Sequence, residues 1–183
     1  MITTEKERKT YADYAALDEG APYQLIDGEL VMTPAPTFFH QLVVWRLGTD
    51  LFTFVEQQER GVVVGSPVDV YFSETETYQP DLVFISKDRL NIITEQKING
   101  APDLVVEILS PATGYYDLTK KRRVYEASGV KEYWIVDPIE HTVEVLENVE
   151  GTYETVAKTH QKGRVPSRLL DGFEVDLERL FAS

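Results

Sequence analysis

The stretch Gly100-Ala101-Pro102-Asp103-Leu104-Val105-Val106-Glu107-Ile108-Leu109-Ser110-Pro111 decides how we interpret the fold. Its centre is short and almost wholly apolar, which is typical of a strand covered on both faces. Side chains alternate along a strand, so Glu107 is expected mid-strand among apolar neighbours, on the same face as Asp103. A buried carboxylate is costly unless it is paired, hydrogen-bonded or bound to a metal ion. Glu107 is therefore the best local indication of a functional site; the alternative is that this face meets solvent or an arginine partner.

Hydrophobic periodicity around this stretch predicts an α/β fold with a central mixed β-sheet flanked by α-helices. Apolar spacings of three and four residues predict three helices, over residues 10–17, 37–59 and 117–128. Apolar or alternating runs predict strands over residues 23–32 (a hairpin), 62–72, 78–85, 103–109, 132–136, 141–146 and 153–156, with a strand and helical turn over 173–181. Because no repeat or linker interrupts the chain, residues 1–183 are predicted to form a single domain.

Composition narrows the classes of function. Hydrophobic residues at 43% and charged residues at 27% are ordinary for a globular protein, and the absence of cysteine excludes disulfides, thiolate metal sites and a cysteine nucleophile. Residues 1–9 hold no apolar core of a signal peptide, and no later run approaches the roughly 20 residues of a membrane helix. These features predict a cytoplasmic protein without a membrane partner.

The net charge of −13 argues against broad electrostatic attraction to nucleic acid or to anionic membranes. The charge is uneven, however. Residues 137–154 carry six acidic side chains and no basic one, whereas residues 117–128 carry four basic and two acidic side chains. A DNA substrate is therefore compatible with the charge, and its binding is expected to weaken strongly with salt.

Two Pro-Asp pairs compete to supply a second carboxylate beside Glu107. Asp103 lies four residues from Glu107 on the same strand, about 13 Å away, which is too far to share one ion. Asp81 follows Pro80 at the start of another apolar strand and is free to approach Glu107. We therefore favour Asp81, although an aspartate at a strand entry is also a common turn residue.

The largest cluster of positive charge is the run Lys120-Lys121-Arg122-Arg123. On a helix, Asp117, Lys121 and Tyr125 share one face. Taken alone, this pattern fits a solvated helix face with an Asp117–Lys121 pair that contributes about 0.3–0.5 kcal/mol. The helix directly follows the strand that carries Glu107, however, and this position favours a functional lysine.

Asp81, then Glu107 in an apolar strand, then a helical lysine resembles the PD-(D/E)xK nuclease superfamily, and more closely its Uma-type endonuclease family. The matching segments are residues 23–31 with His40, 79–83, 100–111, Asp117-x-x-x-Lys121-x-x-x-Tyr125 and 129–138. The resemblance implies a restriction-endonuclease-like fold with a metal site where the strands carrying Asp81 and Glu107 diverge. One position departs from the superfamily pattern, since Leu109 stands two residues after Glu107 where a lysine is expected. The family resemblance replaces it with a migrated lysine, which Lys121 matches better than Lys120.

This resemblance implies a metal-dependent endonuclease that hydrolyses DNA phosphodiester bonds. Asp81 and Glu107 would hold Mg²⁺, or Mn²⁺ in its place, with the backbone carbonyl of Ile108 as a third ligand. The ion would polarise a phosphodiester oxygen and lower the pKa of a bound water, and Lys121 would orient that water or neutralise developing charge. A homodimer is expected because two-fold dimers are the commonest oligomers and because two sites can address two strands.

Two further residues are implied as supporting ones at the edge of the site. Glu29 could ligate the metal, and His40 could contact phosphate or water. Considered by themselves, Glu29 fits an exposed strand acid after the Asp27-Gly28 turn, and His40 fits a core histidine that opens the apolar stripe of the longest helix.

Two other functions stay open at the level of sequence. Leu109 at the usual lysine position and the acidic surface favour a catalytically degenerate nuclease-fold module with an interaction or regulatory role. A small-molecule hydrolase that uses the same carboxylates is the third reading. Metal binding would separate the degenerate module from an active nuclease, because a degenerate site would not bind metal through Asp81 and Glu107.

Overall fold

A computed structural model describes residues 7–182 of the chain. The helices are α1 (Tyr11–Ala15), α2 (Phe38–Gln57), α3 (Gly114–Tyr116), α4 (Arg122–Ser128) and α5 (Leu177–Leu180), with a 3₁₀ helix at Lys87–Ile92 and a π-helix at Asp117–Lys121. The strands are β1 (Tyr23–Ile26), β2 (Glu29–Met32), β3 (Gly61–Gly65), β4 (Val70–Ser73), β5 (Glu76–Tyr78), β6 (Leu82–Ser86), β7 (Ile98–Asn99), β8 (Leu104–Ile108), β9 (Glu132–Asp137), β10 (Thr142–Val149), β11 (Thr152–His160), β12 (Arg164–Pro166) and β13 (Glu174–Asp176).

The central sheet has six strands in the order β11-β10-β9-β8-β6-β3. Strand β8 pairs in parallel with β9 and antiparallel with β6, so the sheet is mixed, as predicted. Every residue of β8 is buried, which agrees with the apolar sequence of this strand. Asp103 directly precedes β8. The candidate site forms at the carboxyl end of β8, at Glu107 and Ile108.

Two layers cover the central sheet. On one face, the buried stripe of α2 and the C-terminal elements pack on the side of β8 that holds Leu104, Val106 and Ile108. The opposite face carries Val105 and Glu107 and is covered by α4 and by a second sheet of order β2-β1-β5-β4-β7. This division follows from the two-residue period of a strand.

Helix α2 begins at Phe38 because the Thr37 side chain caps it by accepting a hydrogen bond from the backbone nitrogen of His40, at 3.2 Å. Midway along the helix, Gly48 faces β6. A Cβ at this position would lie 3.0 Å from Leu82 Cδ2, so the missing side chain allows α2 to lie close against the sheet. The capped first turn of α2 brings His40 to the end of β8.

Two predicted strands are each divided in the structure. The strand predicted over residues 62–72 is β3 and β4, and the strand predicted over 78–85 is β5 and β6; in both cases the two parts belong to different sheets. The breaks fall at Pro67 and Pro80, because proline lacks the backbone donor that a continued ladder needs. The turn at Pro80 places Asp81 directly before β6.

No helix among residues 7–182 has both the length and the apolar character needed to cross a membrane. Residues 1–6, on which the expectation about a signal peptide partly rests, lie outside the described part of the chain.

Candidate functional site

The centre of the candidate site is the buried side chain of Glu107. Only 3% of this residue is exposed, and its Oε1 lies 3.0 Å from the Nζ of Lys121. Tyr125 donates a second hydrogen bond to the same oxygen, at 2.5 Å. The solvent and arginine alternatives for this face are therefore wrong, because the partners are a lysine and a tyrosine from the segment that follows β8.

The π-helix supplies the lysine together with a second carboxylate. Lys121 Nζ lies 2.8 Å from Asp117 Oδ1, and both side chains are buried. The Asp117 carboxylate accepts a hydrogen bond from Thr113 Oγ1 at 3.3 Å, and Tyr133 donates to the Asp117 carbonyl oxygen at 3.1 Å. The solvated helix face considered from the sequence is thus wrong. Short π-helical turns are frequent at functional sites, and this one directs Asp117 and Lys121 together into the interior.

The second wall of the site is formed by Asp81, Ile108 and His40. The backbone nitrogen of Ile108 donates to Asp81 Oδ2 at 2.7 Å, so the carboxylate is fixed at the end of β8. His40 Nε2 lies 2.9 Å from the Ile108 carbonyl oxygen and 3.5 Å from Asp81 Oδ2. The Asp81 side chain is partly exposed and forms the opening of the site.

Burial and charge act against each other in this cluster. Burial, with smaller effects from the Asp117 and Asp81 carboxylates, raises the pKa of Glu107 to about 8 although Lys121 and the Tyr125 hydrogen bond lower it. Burial also raises the pKa of Asp117, again against the effect of Lys121. For Lys121 itself, burial would lower the pKa, but Glu107 and Asp117 raise it above its usual value. Glu107 and Asp117 both contact Lys121, and Asp81 lies near enough to raise the pKa of each of these two carboxyl groups.

The pKa of His40 is raised for a similar reason. Burial would lower it, but the hydrogen bond and the negative charge of Asp81 outweigh burial, and the Ile108 carbonyl adds to this effect. The cause of the raised pKa is therefore the position of the imidazole between two oxygen atoms, Asp81 Oδ2 and the carbonyl oxygen of Ile108.

The oxygen atoms of the site fit a hard divalent cation. Both hydrogen bonds to Glu107 go to Oε1, and those to Asp81 go to Oδ2, so within residues 7–182 nothing donates to Glu107 Oε2 or Asp81 Oδ1. Among the same residues, no three histidine, aspartate or glutamate side chains are arranged around one point as a ready metal site. The donor set is then two carboxylates and the carbonyl of Ile108. This set suits Mg²⁺, which is usually held by one or two carboxylates with water and substrate phosphate.

The structure does not bring Glu29 or Asp103 into this cluster. Glu29 is exposed on β2 and lines a shallow surface cavity of about 250 Å³ with Arg8 and Asp27. Asp103 is buried at the other end of β8, where its carboxylate lies 2.7 Å from Lys131 Nζ and 3.0 Å from Arg89. The preference for Asp81 over Asp103 therefore agrees with the geometry around Glu107.

Sequence reasoning assigned no role in the site to Asp117 or Tyr125, although both contact its central residues. Asp117 contacts Lys121, and Tyr125 contacts Glu107. Their spacing of four residues on either side of Lys121 was a usable signal, because it places all three on one helix face. Burial of this face was the missing information.

Comparisons with known proteins were made for the whole chain. A family model described as "Uma2: Putative restriction endonuclease" matches residues 9–178. No curated protein matches significantly. Among solved structures, the chain is similar to one described as "a putative nuclease belonging to DUF820" from Anabaena variabilis, with a TM-score of 0.79 and 22% identity over 94% of this chain and 97% of that chain. At this identity the likeness shows the fold, and it confirms the predicted restriction-endonuclease-like architecture.

Proposed function

This chain belongs to the Uma2 family, whose description is "Putative restriction endonuclease", and on that premise we propose that it hydrolyses DNA phosphodiester bonds at a metal-dependent site. The observation that carries the proposal is the contact of Lys121 with Glu107, 3.0 Å long, in a buried cluster that opens to solvent at Asp81. A lysine and two carboxylates at the ends of two sheet strands can support metal-assisted phosphodiester hydrolysis. We regard Asp81, Glu107 and Lys121 as the catalytic residues.

Asp81 and Glu107 would hold Mg²⁺, or Mn²⁺, together with the carbonyl oxygen of Ile108. When bound, such an ion polarises the scissile phosphate and lowers the pKa of a coordinated water. The Tyr125 hydroxyl donates a hydrogen bond to Glu107 Oε1, which leaves Oε2 available for the ion. The hydrogen bond from the Ile108 backbone holds Asp81 in the same way.

Lys121 would supply a fixed positive charge near the scissile phosphate and would stay protonated throughout the reaction. Its ammonium group is fixed between Glu107 and Asp117, and the raised pKa keeps it protonated at neutral pH. A fixed cation costs no reorganisation when negative charge develops on the phosphate, and it can also orient the attacking water. Asp117 would act as a positioning residue, because its carboxylate lies 2.8 Å from the ammonium group of Lys121.

His40 and Glu29 would have supporting roles of different strength. His40 contacts the Ile108 carbonyl and lies near Asp81, so its imidazole can donate a proton to a phosphate oxygen or a water at the opening. Glu29 is exposed on β2, and a role in metal binding would have to pass through water or substrate. We further propose that the chain forms a single domain and acts in the cytoplasm as a homodimer. The two sites of a dimer could act on the two strands of a DNA duplex.

A nuclease-fold interaction or regulatory module without turnover is the second candidate function. It is favoured by Leu109, which occupies the position of the superfamily lysine, and by Lys121 being paired with two carboxylates before any substrate arrives. Calorimetric titration with Mg²⁺ and Mn²⁺ separates the two candidates, because a module without turnover should not bind metal through Asp81 and Glu107.

Cleavage of supercoiled and linear DNA tests the proposal, with Mg²⁺, with Mn²⁺ and with a chelator. The unchanged protein is expected to cut only with metal, and Glu107→Gln and Lys121→Met are expected to lose this activity. Lys120→Met is the matched control, because Lys120 is in the same π-helix but contacts Asp27 instead, at 3.2 Å. Equal cleavage by all four proteins would contradict the site, and cleavage only of nucleotides or simple phosphodiesters would identify a small-molecule hydrolase.

A further inference from the structure

Helix α2 exposes a row of large aromatic side chains that its own fold does not cover. Phe38, Trp45 and Phe52 are 84%, 72% and 50% exposed. They are spaced by seven residues, so successive members are displaced by only about 20° around the helix and form one stripe. Single exposed apolar residues are normal on a protein surface, but several large aromatic side chains along one helix face are typical of an interaction site.

A groove and an open strand edge lie beside this stripe. The groove has a volume of about 480 Å³, and its walls are Val44, Trp45 and Phe52 of α2 and Val63 and Val64 of β3. Strand β3 is the last strand of the central sheet, and within residues 7–182 it pairs only with β6. Its sequence, Gly-Val-Val-Val-Gly, has no charge or proline, and its pairing has no bulge, so the usual protections of an edge strand are lacking.

The charge of this face selects among possible occupants. None of the residues that line the groove is charged, although the whole chain carries −13. In α2, Arg46 donates to the carbonyl oxygen of Leu180 and Asp50 pairs with Arg179, whereas Glu56 is exposed one turn after Phe52. A nucleic acid or an anionic membrane would find no basic side chain in the groove, whereas two copies of the chain can meet there without charge repulsion between the groove residues.

The area is sufficient for a second copy of the chain. At about 200 Å² for a fully exposed aromatic side chain, the three rings offer roughly 400 Å² per copy and about 800 Å² for a symmetric pair. A standard interface buries about 1,200–2,000 Å² in total, and the groove and the β3 edge are available to supply the remainder. The stripe and the groove are adjacent, so a two-fold axis can place the stripe of each copy in the groove of the other.

We propose that two copies of this chain associate through the face formed by the α2 stripe, the neighbouring groove and the edge of β3. This inference goes beyond the proposed chemistry, to which it adds an interface for the homodimer. The interface is distinct from the catalytic residues Asp81, Glu107 and Lys121, so the mass of the protein can be tested without reference to DNA cleavage.

Light scattering during size-exclusion chromatography of the full chain is the first test. The unchanged protein is expected at twice the 20.9 kDa mass of one chain at tens of micromolar. Trp45→Glu is expected to weaken association at least about 30-fold, the effect of losing an interface hot spot, and to elute at the single mass. Val149→Glu is the control, because Val149 is also exposed, at 39%, and lies on β10, near the opposite edge of the central sheet from β3; it should keep the double mass.

Phe52→Ser provides a second variant should Trp45→Glu not fold, as judged by circular dichroism. A single mass for the unchanged protein would overturn the proposal and leave the face to a different partner. A double mass for both folded interface variants would overturn it as well.

Tryptophan fluorescence adds a readout that is local to this face. The chain has two tryptophans, and Trp134 is buried, so a Trp134→Phe variant reports on Trp45 alone. Its emission should shift to shorter wavelength, and quenching by acrylamide should weaken, over the concentration range in which the mass doubles. A doubling of mass with unchanged emission would place the interface elsewhere and contradict the proposal.

Discussion

The ammonium nitrogen of Lys121 lies 3.0 Å from Oε1 of Glu107, and both side chains are almost completely buried. The two residues come from different elements, the central strand β8 and the π-helix that follows it after a short loop. An isolated buried charge of either sign would be strongly unfavourable, so each residue makes the burial of the other possible. The same pair can then serve metal binding through Glu107 and charge stabilisation through Lys121.

Replacing Lys121 by methionine should separate catalysis from metal binding. We expect DNA cleavage to fall at least about 100-fold, the loss that follows removal of one electrostatic donor. The affinity for Mn²⁺, measured by calorimetry, should stay the same or rise, because a positive charge next to the carboxylates is removed. Parallel loss of Mn²⁺ binding and cleavage would indicate that Lys121 is only structural. Lys120→Met should leave both quantities near those of the unchanged protein.

Asp117→Asn tests whether this carboxylate positions Lys121. The substitution keeps the shape of the side chain but removes the charge that holds the ammonium group, at 2.8 Å. We expect cleavage to fall about 10-fold while Mn²⁺ affinity changes little, whereas Glu107→Gln should lower Mn²⁺ affinity strongly. A loss of Mn²⁺ affinity in Asp117→Asn equal to that in Glu107→Gln would instead make Asp117 a metal ligand. The 10-fold figure is the lower limit typical of residues that orient a site.

Tyr125→Phe removes the hydroxyl that donates to Glu107 Oε1. One hydrogen bond to a buried charged group is lost, so the free energy of unfolding should fall by about 2 kcal/mol in urea titrations. Mn²⁺ affinity should fall about 10-fold, because Glu107 is then less firmly oriented. Tyr115→Phe is the matched control, since Tyr115 is exposed on α3. Unchanged stability and Mn²⁺ affinity in Tyr125→Phe would show that this hydrogen bond does not support the site.

Asp103 gives a prediction about stability and pH that is independent of the catalytic residues. Burial would raise its pKa, but Lys131, the backbone of Ser86 and Arg89 lower it below the usual value. A carboxyl group with a lowered folded-state pKa stabilises the protein above its unfolded-state pKa, near 4, and this contribution is lost as the pH falls through the folded-state value.

The free energy of unfolding of Asp103→Asn should therefore be about 2 kcal/mol lower at pH 7, because the buried carboxylate loses its charged interactions with Lys131 and Arg89. Below about pH 4, the difference in the free energy of unfolding between Asp103→Asn and the unchanged protein, measured by urea titration, should become smaller. A difference that is constant down to pH 2 would mean that shape, rather than charge, sets the cost. Asp171→Asn, at an exposed turn, is the control and should change stability little at either pH.

The sequence was sufficient to predict the central strand and its unusual carboxylate. The two-residue period placed Glu107 on one face of β8, and the rise along a strand excluded Asp103 as its partner. Asp81 was favoured for the same reason, and the structure places it against the backbone of Ile108. These inferences are local and depend on geometry that any strand shares.

The remaining features depend on long-range packing. The runs around Pro67 and Pro80 were each predicted as one strand, and their division between two sheets depends on where the second sheet pairs. Likewise, an isolated helix pattern does not show that Asp117 and Lys121 are buried, because burial is set by Tyr133 and the layer above β8. The π-helical turn has no distinct hydrophobic period in so short a segment.

The most direct test of the central claim is an anomalous difference map from crystals soaked in Mn²⁺. We expect a peak between Asp81 and Glu107, within about 2.2 Å of a carboxylate oxygen from each and close to the carbonyl oxygen of Ile108. Glu107→Gln crystals of the same form should lack this peak. A fully soaked crystal of the unchanged protein with no peak there would contradict a metal-dependent site and favour the non-catalytic module.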